Sequence, residues 1–239
     1  MSQSSPTPLS SLPNFDPRNI PVVGVDTHLP AVHREWLLPQ ALQQRFANPP
    51  QWAPEVILEK RYSDRREANA SVLVPIVMRG PLQDQPTVLL TQRTAHMSTH
   101  SGQIAFPGGK SDPTDANAAA TALREAHEEV GLAPEFVQVL GQLPTYVTGS
   151  AFVITPIVAL VRPGFTLVAN PVEVADVFEV PLEFLMNPAN HRRHEVPWQD
   201  TTRQWFSMPY HDLDTGKERF IWGATAGMLR NFYRFLAAR

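Results

Sequence analysis

The sequence predicts an α+β fold, a mixed β-sheet with helices packed against it, preceded by an N-terminal extension. Three observations point there. Short apolar runs with strand character recur from Ser71 to Ile221, yet they lack the regular intervening helices of a βαβ protein. One strongly amphipathic segment stops at Gly131 and a second helical segment closes the chain. Proline, 24 of 239 residues, crowds the first third, where no strand pattern is visible.

The elements follow in order. Residues 1–19 read as a disordered, Ser/Pro-rich tail. Residues 20–67 read as an extension with one short helix near Gln40 to Phe46, stopped by Asn48-Pro49-Pro50, and ending in a charged connector, Glu59 to Glu67. The main domain is expected over 68–239. Val72 to Met78 and Thr87 to Gln92 are its first strands, with Pro75 suggesting an edge or a bulge. A glycine-bearing loop ends in Phe106-Pro107-Gly108-Gly109. A helix is expected from Pro113 to Val130, with Asp112 as N-cap and Gly131 as stop. Strands follow near Val137 to Leu143, Phe152 to Val161 and Val174 to Val180, then a short helix near Leu182. Late strands are expected at Arg203–Ser207 and Arg219–Ile221, and a helix from Ala224 to Leu236.

Composition removes several function classes. There is no cysteine, which excludes disulfide scaffolds, Cys-ligated zinc and thiol nucleophiles. The formal net charge is −3, without the basic surplus of a nucleic-acid binder. No apolar run reaches the length of a membrane span, and the N-terminus has no apolar signal core, so a cytoplasmic protein is expected. A homodimer is compatible with the sequence, but no residue demonstrates it.

The chemistry lies on the helix before Gly131. At about 100° per residue, Ala119, Ala120, Leu123, Ala126 and Val130 gather in one direction, while Glu125, Glu128 and Glu129 converge on the opposite face. An amphipathic helix always has a polar face. This one, however, sets three like charges within a turn, at a cost of a few tenths of a kcal/mol per pair, and places no lysine at i+4 from any of them. Such a face invites a hard divalent cation with oxygen ligands, Mg²⁺ or Mn²⁺. Thr121 and Ala118, small residues on the same face, leave room for a ligand.

The run Arg124-Glu125-X-X-Glu128-Glu129-X-Gly131-Leu132 resembles the core of the Nudix box, the signature of the Nudix hydrolases. Six fixed residues at typical frequencies arise by chance in roughly 10⁻⁵ of chains this long. The resemblance implies the Nudix fold, a mixed sheet sandwiched between helices, and hydrolysis of a nucleoside diphosphate linked to another moiety. It also implies metal ligation by Glu125, Glu128, Glu129 and the backbone of Gly109. Glu125 is then a ligand or the base, oriented by Arg124, and a carboxylate from a downstream loop, Glu173, assists. The loop departs from the general box by one extra residue, so that the first acidic position falls to Asp115 or Asp112.

Upstream, Leu89-Leu90-Thr91-Gln92-Arg93-Thr94, Gly102 and Phe106-Pro107-Gly108-Gly109 resemble the second motif of the coenzyme A pyrophosphatase branch, as does Ile221 to Ala226. Arg93, Gly102, Phe106 and Gly108 are the substrate-binding residues this implies, and the products from coenzyme A are 3′,5′-ADP and 4′-phosphopantetheine. Ser98 stands where that branch has arginine, which favours the alternatives ADP-ribose, NADH or a dinucleoside polyphosphate. A non-catalytic nucleotide-sensing module is the third reading, and the full set of box residues speaks against it. Among the remaining features, His191-Arg192-Arg193-His194 reads as a solvated loop. His96 and His100 lack the context of a zinc helix. The five tryptophans read as core or interface.

Overall fold

The computed structural model describes residues 15–56, 58–59, 66–95, 102–198 and 201–239. The expected tail up to residue 14, most of the charged connector, and His96, Ser98 and His100 lie outside the described residues. In chain order the elements are β1 (Val22–Val25), α1 (Pro39–Ala47), β2 (Ala68–Arg79), β3 (Gln85–Arg93), β4 (Ile104–Ala105) and β5 (Gly108–Lys110). Next come α2 (Ala118–Val130), β6 (Val137–Gln142), β7 (Tyr146–Val147), β8 (Phe152–Val161) and β9 (Val174–Pro181). The chain ends with α3 (Leu182–Leu185), β10 (Arg192–Trp198), β11 (Thr201–His211), β12 (Glu218–Trp222) and α4 (Gly223–Ala237).

The central sheet has eight strands, with β4-β3-β2-β8-β6 in order, β5 added to β2, β7 to β8 and β9 to β3. β2 and β8 run parallel over Ala68–Val77 and Phe152–Val161, and their neighbours are antiparallel, so the sheet is mixed. Alternation on these strands sorts two cores. Leu73, Val77, Leu89, Ile157, Ala159 and Val161 face α2. Val74, Ile76, Met78, Val88, Leu90, Val158 and Leu160 face the other way, into a larger core with α1, α4 and the second sheet. β2 is therefore central, and the edge reading of Pro75 is corrected. Pro75 pairs with Ala159 of β8 on one side; on the other, pairing with β5 ends at Val72 and pairing with β3 begins at Ile76, and a proline is tolerated in that gap.

The second sheet, β1-β10-β11-β12, was legible only in its last two strands. Its outer strands bind the N-terminal extension to the body. β1 pairs with β10, and Phe15 packs on Trp205 and Trp222, so residues 15–19 of the expected tail are ordered. His191 and His194 are buried, which corrects the solvated-loop reading. His191 bonds Leu185 O and the Arg230 guanidinium, and His194 bonds Ile20 O and Ser207 Oγ.

Candidate active site

The glycine loop and the start of α2 set the site. Asp112 does not cap the helix. It accepts bonds from the amide and hydroxyl of Thr114 in a tight turn, and α2 begins five residues later than the Asp-Pro signal suggested. The cap is Asn117, whose side chain accepts the Ala120 amide at 3.0 Å. The C-terminal end is as read, with Gly131 left-handed at φ 70° and its amide closing on the last turn.

The buried arc of α2 is turned from the expected one. Ala122, Ala126 and Val130 lie on the sheet, with Thr121 and Glu129 beside them, while Ala119 and Leu123 are only partly covered. An arc made mainly of alanines carries little directional signal, and Ala122 lets the helix come close to β2 and β8. The carboxylates thus do not all face solvent. Glu129 is 3% exposed, Glu125 is half-buried, and the Glu128 side chain is 56% exposed.

Each carboxylate has a distinct environment. Glu129 Oε2 accepts the Gly108 amide at 3.1 Å, and its Oε1 stands 3.7 Å from Arg93 Nη1. Burial is the main reason its pKa is pushed up to about 7; the Gly108 bond and Arg93 oppose the rise, while Glu173 and Glu125 add to it. Glu125 is also raised, chiefly by burial, with Arg124 opposing and the charges of Glu128 and Glu173 reinforcing. The backbone of Gly109 lies directly on the Glu125 carboxylate: a Cβ there would fall 2.3 Å from Oε2. At Gly108 a Cβ would meet Ser71 O at 2.4 Å.

Arg124 is the hub. Its Nε and Nη2 donate to the two oxygens of Asp115 at 3.0 and 2.9 Å, a bidentate pair. Its Nη1 donates to Glu125 Oε1 at 2.9 Å and Glu128 Oε2 at 3.0 Å, and Nη2 also reaches Lys110 O at 3.1 Å. Asp115 in turn accepts the Thr121 hydroxyl and the Asp112 amide. Hydrogen bonding to Arg124 holds the Asp115 carboxyl well below the usual carboxylate range. Of the two candidates for the first acidic position, Asp115 is the one engaged with Arg124. Its part in orienting the helix was not readable from a loop without periodicity.

The other expected residues fall as follows. Glu173 is partly exposed in the turn before β9, close enough for its charge to be felt at Glu125 and Glu129. Arg93 closes β3 beside Glu129. Gly102 has a left-handed φ of 68°, and its carbonyl accepts Gln92 Nε2. Phe106 is placed differently from expectation. Its ring is buried in the larger core, so it offers no face to a ligand and serves packing at the loop's base.

The donors suit a hard divalent ion: all are oxygens, with Glu129 buried, Glu125 half-buried and the charge of Glu173 felt at both. Among the described residues, no three acidic or histidine side chains stand together as a ready-made cage, and Arg124 bonds both Glu125 and Glu128.

Comparison with known proteins places the chain in a family. A family model described as the NUDIX domain matches residues 69–220. A Photorhabdus laumondii protein called "Uncharacterized Nudix hydrolase NudL" is 41% identical over 170 residues, spanning 71% of this chain and 85% of that protein. Its namesake in Escherichia coli strain K12 is 41% identical over 162 residues, 67% of this chain and 79% of that one. Among solved structures, a C. elegans Ap4A hydrolase complex is 21% identical, covering 48% of this chain and 80% of its own at a TM-score of 0.40. With the box carboxylates mounted on a helix against a mixed sheet, and with the family model spanning most of the chain, this protein belongs to the Nudix hydrolases, enzymes that cleave nucleoside diphosphate derivatives.

Proposed function

We propose that the enzyme hydrolyses the diphosphate of coenzyme A or an acyl-CoA in the cytoplasm, releasing 3′,5′-ADP and (acyl-)4′-phosphopantetheine. The observation that carries the reaction class is the carboxylate set of α2, with Glu129 buried at the Gly108 amide and Glu125 pressed on Gly109. What supports the substrate is the resemblance of Leu89 to Gly109 to the coenzyme A branch.

Nudix hydrolases generally use divalent metal ions. Here Glu125, Glu128, Glu129 and the Gly109 backbone would hold Mg²⁺ or Mn²⁺, which supplies neutralisation of phosphate charge and a more acidic water when bound. The chain's own residues do the rest. Gly108 fixes the rotamer of Glu129 through its amide, and Arg93 presents a guanidinium beside it, where a phosphate oxygen can be received. Arg124, fixed by Asp115, orients Glu125 and Glu128. Glu125, or Glu173 from the neighbouring turn, takes the proton of the attacking water as the P–O–P bridge breaks.

Ser98, in place of arginine, favours the second reading, in which ADP-ribose or NADH is the better substrate. A panel of coenzyme A, ADP-ribose and NADH decides between them. Coenzyme A leads in kcat/KM on the first reading, and a lead of tenfold or more for ADP-ribose, about 1.4 kcal/mol of transition-state preference, would overturn it.

A further inference from the structure

The turn that carries Glu173 has little to hold it by packing. Val168 and Val172 are 70% and 75% exposed, and the segment has no helix or strand of its own before β9. Ahead of the ladder that pairs the buried Val174 with Arg93, hydrogen bonds fix it at two points. One is the end of α2: the Val168 amide donates to Val130 O at 2.9 Å and the Asn170 amide to Glu129 O at 2.8 Å. Asn170 then organises the turn, its side chain accepting the Val172 amide at 3.1 Å and its carbonyl accepting the amides of Glu173 and Val174.

The second point is Thr94, the residue after β3. It is buried, its amide donates to Glu173 O at 3.0 Å, and its hydroxyl donates to Val172 O at 3.0 Å. The amide bond would survive any substitution except proline, but the hydroxyl bond is specific to threonine or serine. The residue before it, Arg93, reaches Glu129. Two consecutive residues therefore address the carboxylates on either side of the site, Arg93 by its side chain and Thr94 through the turn.

We propose that Thr94 is a positioning residue for the hydrolysis, its hydroxyl clasping the Val172 carbonyl so that the Glu173 carboxylate stays registered beside Glu125 and Glu129. This rests on the reading of Glu173 as a participant. Thr94 touches neither substrate nor reacting atoms. It acts by keeping an exposed turn from drifting, and a drift of one ångström at a reacting group can cost about a hundredfold in rate.

The test compares Thr94→Val, Thr94→Ser, Glu173→Gln and the double variant Thr94→Val/Glu173→Gln. Each is assayed with Mg²⁺ on coenzyme A, ADP-ribose and NADH, with circular dichroism to confirm the fold. Valine keeps the shape of threonine and loses only the hydroxyl. On the substrate that the wild type turns over fastest, Thr94→Val should lower kcat about tenfold with KM within twofold, and Thr94→Ser should restore it. Adding Thr94→Val to Glu173→Gln should cost nothing further, because the hydroxyl acts only through that carboxylate. A Thr94→Val enzyme with full kcat beside a crippled Glu173→Gln enzyme overturns the clasp while leaving Glu173 in its role. A wild-type rate in Glu173→Gln removes the reading beneath the proposal, and the proposal with it. Additive losses in the double variant also contradict it, since a merely structural threonine would weaken the enzyme whether or not Glu173 is present.

Discussion

Individual residues in this site are defined by their surroundings more than by their spacing. Glu125, Glu128 and Glu129 come from one helical turn, yet one is buried, one half-buried and one exposed. Glu129→Gln should abolish turnover without lowering the thermal midpoint, because burial already disfavours the charged form that the amide replaces. Asp115→Asn weakens the bidentate grip on Arg124, and kcat should fall roughly tenfold as Glu125 and Glu128 lose their shared anchor. The box residues were legible because six fixed identities need no structure to be seen. Glu129's burial was not, since helical phase placed it on the face away from the apolar arc. Nor was the state of His191: a polar run of His and Arg gave no sign that one ring sits in the core.

His191 carries its own pH signature. Burial is the main cause that lowers its pKa to about 4, and the adjacent Arg230 adds to the effect. The neutral ring is self-consistent, with Nε2–H donating to Leu185 O and Nδ1 accepting from Arg230. In the unfolded chain it titrates near 6.5, so between about 6.5 and 4 the unfolded state binds the extra proton and stability falls as pH falls. The full loss is at most about 3 kcal/mol. Urea unfolding of wild type and His191→Gln from pH 7.5 to 4.5 should show a steeper decline in the wild type. Parallel declines would remove His191 as the cause.

At the scale of elements, strand runs with strong β-character were readable, and the helix that bears the site was readable at its end but not its start. Asp112-Pro113 has the composition of an N-cap, but Thr114 satisfies Asp112 locally and Asn117 does the capping. β4, β5 and β7 are only two or three residues long, too short for any period to register. The two loop glycines separate packing from chemistry. A methyl at Gly108 meets the backbone of Ser71 and Val72, which cannot yield, so Gly108→Ala should lower the melting temperature sharply. A methyl at Gly109 meets the Glu125 carboxylate, which can swing away. Gly109→Ala should therefore keep most of its stability and lose about a hundredfold in kcat. The reverse pattern would show that the two positions had been assigned the wrong roles.

At the scale of the whole molecule, the described part of the extension, residues 20–56, is tied to α4. Arg230 of α4, 1% exposed, is neutralised by Asp26 after β1 at 2.7 Å and by Glu55 at 2.7 Å, and Arg193 also bonds Asp26. Asn231 receives the amides of Glu55 and Val56. Prolines and short apolar stretches gave no period from which this could be read, because the partners, both these ion pairs and the core contacts of Leu37, Leu42, Phe46 and Trp52, are distant in sequence. Cutting the chain before Ala68 would strand a buried guanidinium, a loss of about 3–5 kcal/mol, whereas removing Asp26 alone leaves Glu55 on Arg230 and should cost less. A fragment starting at Ala68 should fail to give a cooperative melt; one that melts as the full chain does would make 68–239 an independent domain.

The central claim is that the carboxylates of α2 drive hydrolysis of a diphosphate bridge. It is tested most directly by mass spectrometry of coenzyme A incubated with the wild type and with Glu129→Gln, in Mg²⁺ and in Mn²⁺. The wild type should release 3′,5′-ADP and 4′-phosphopantetheine, and the variant should leave coenzyme A intact. Equal product from both proteins would contradict it.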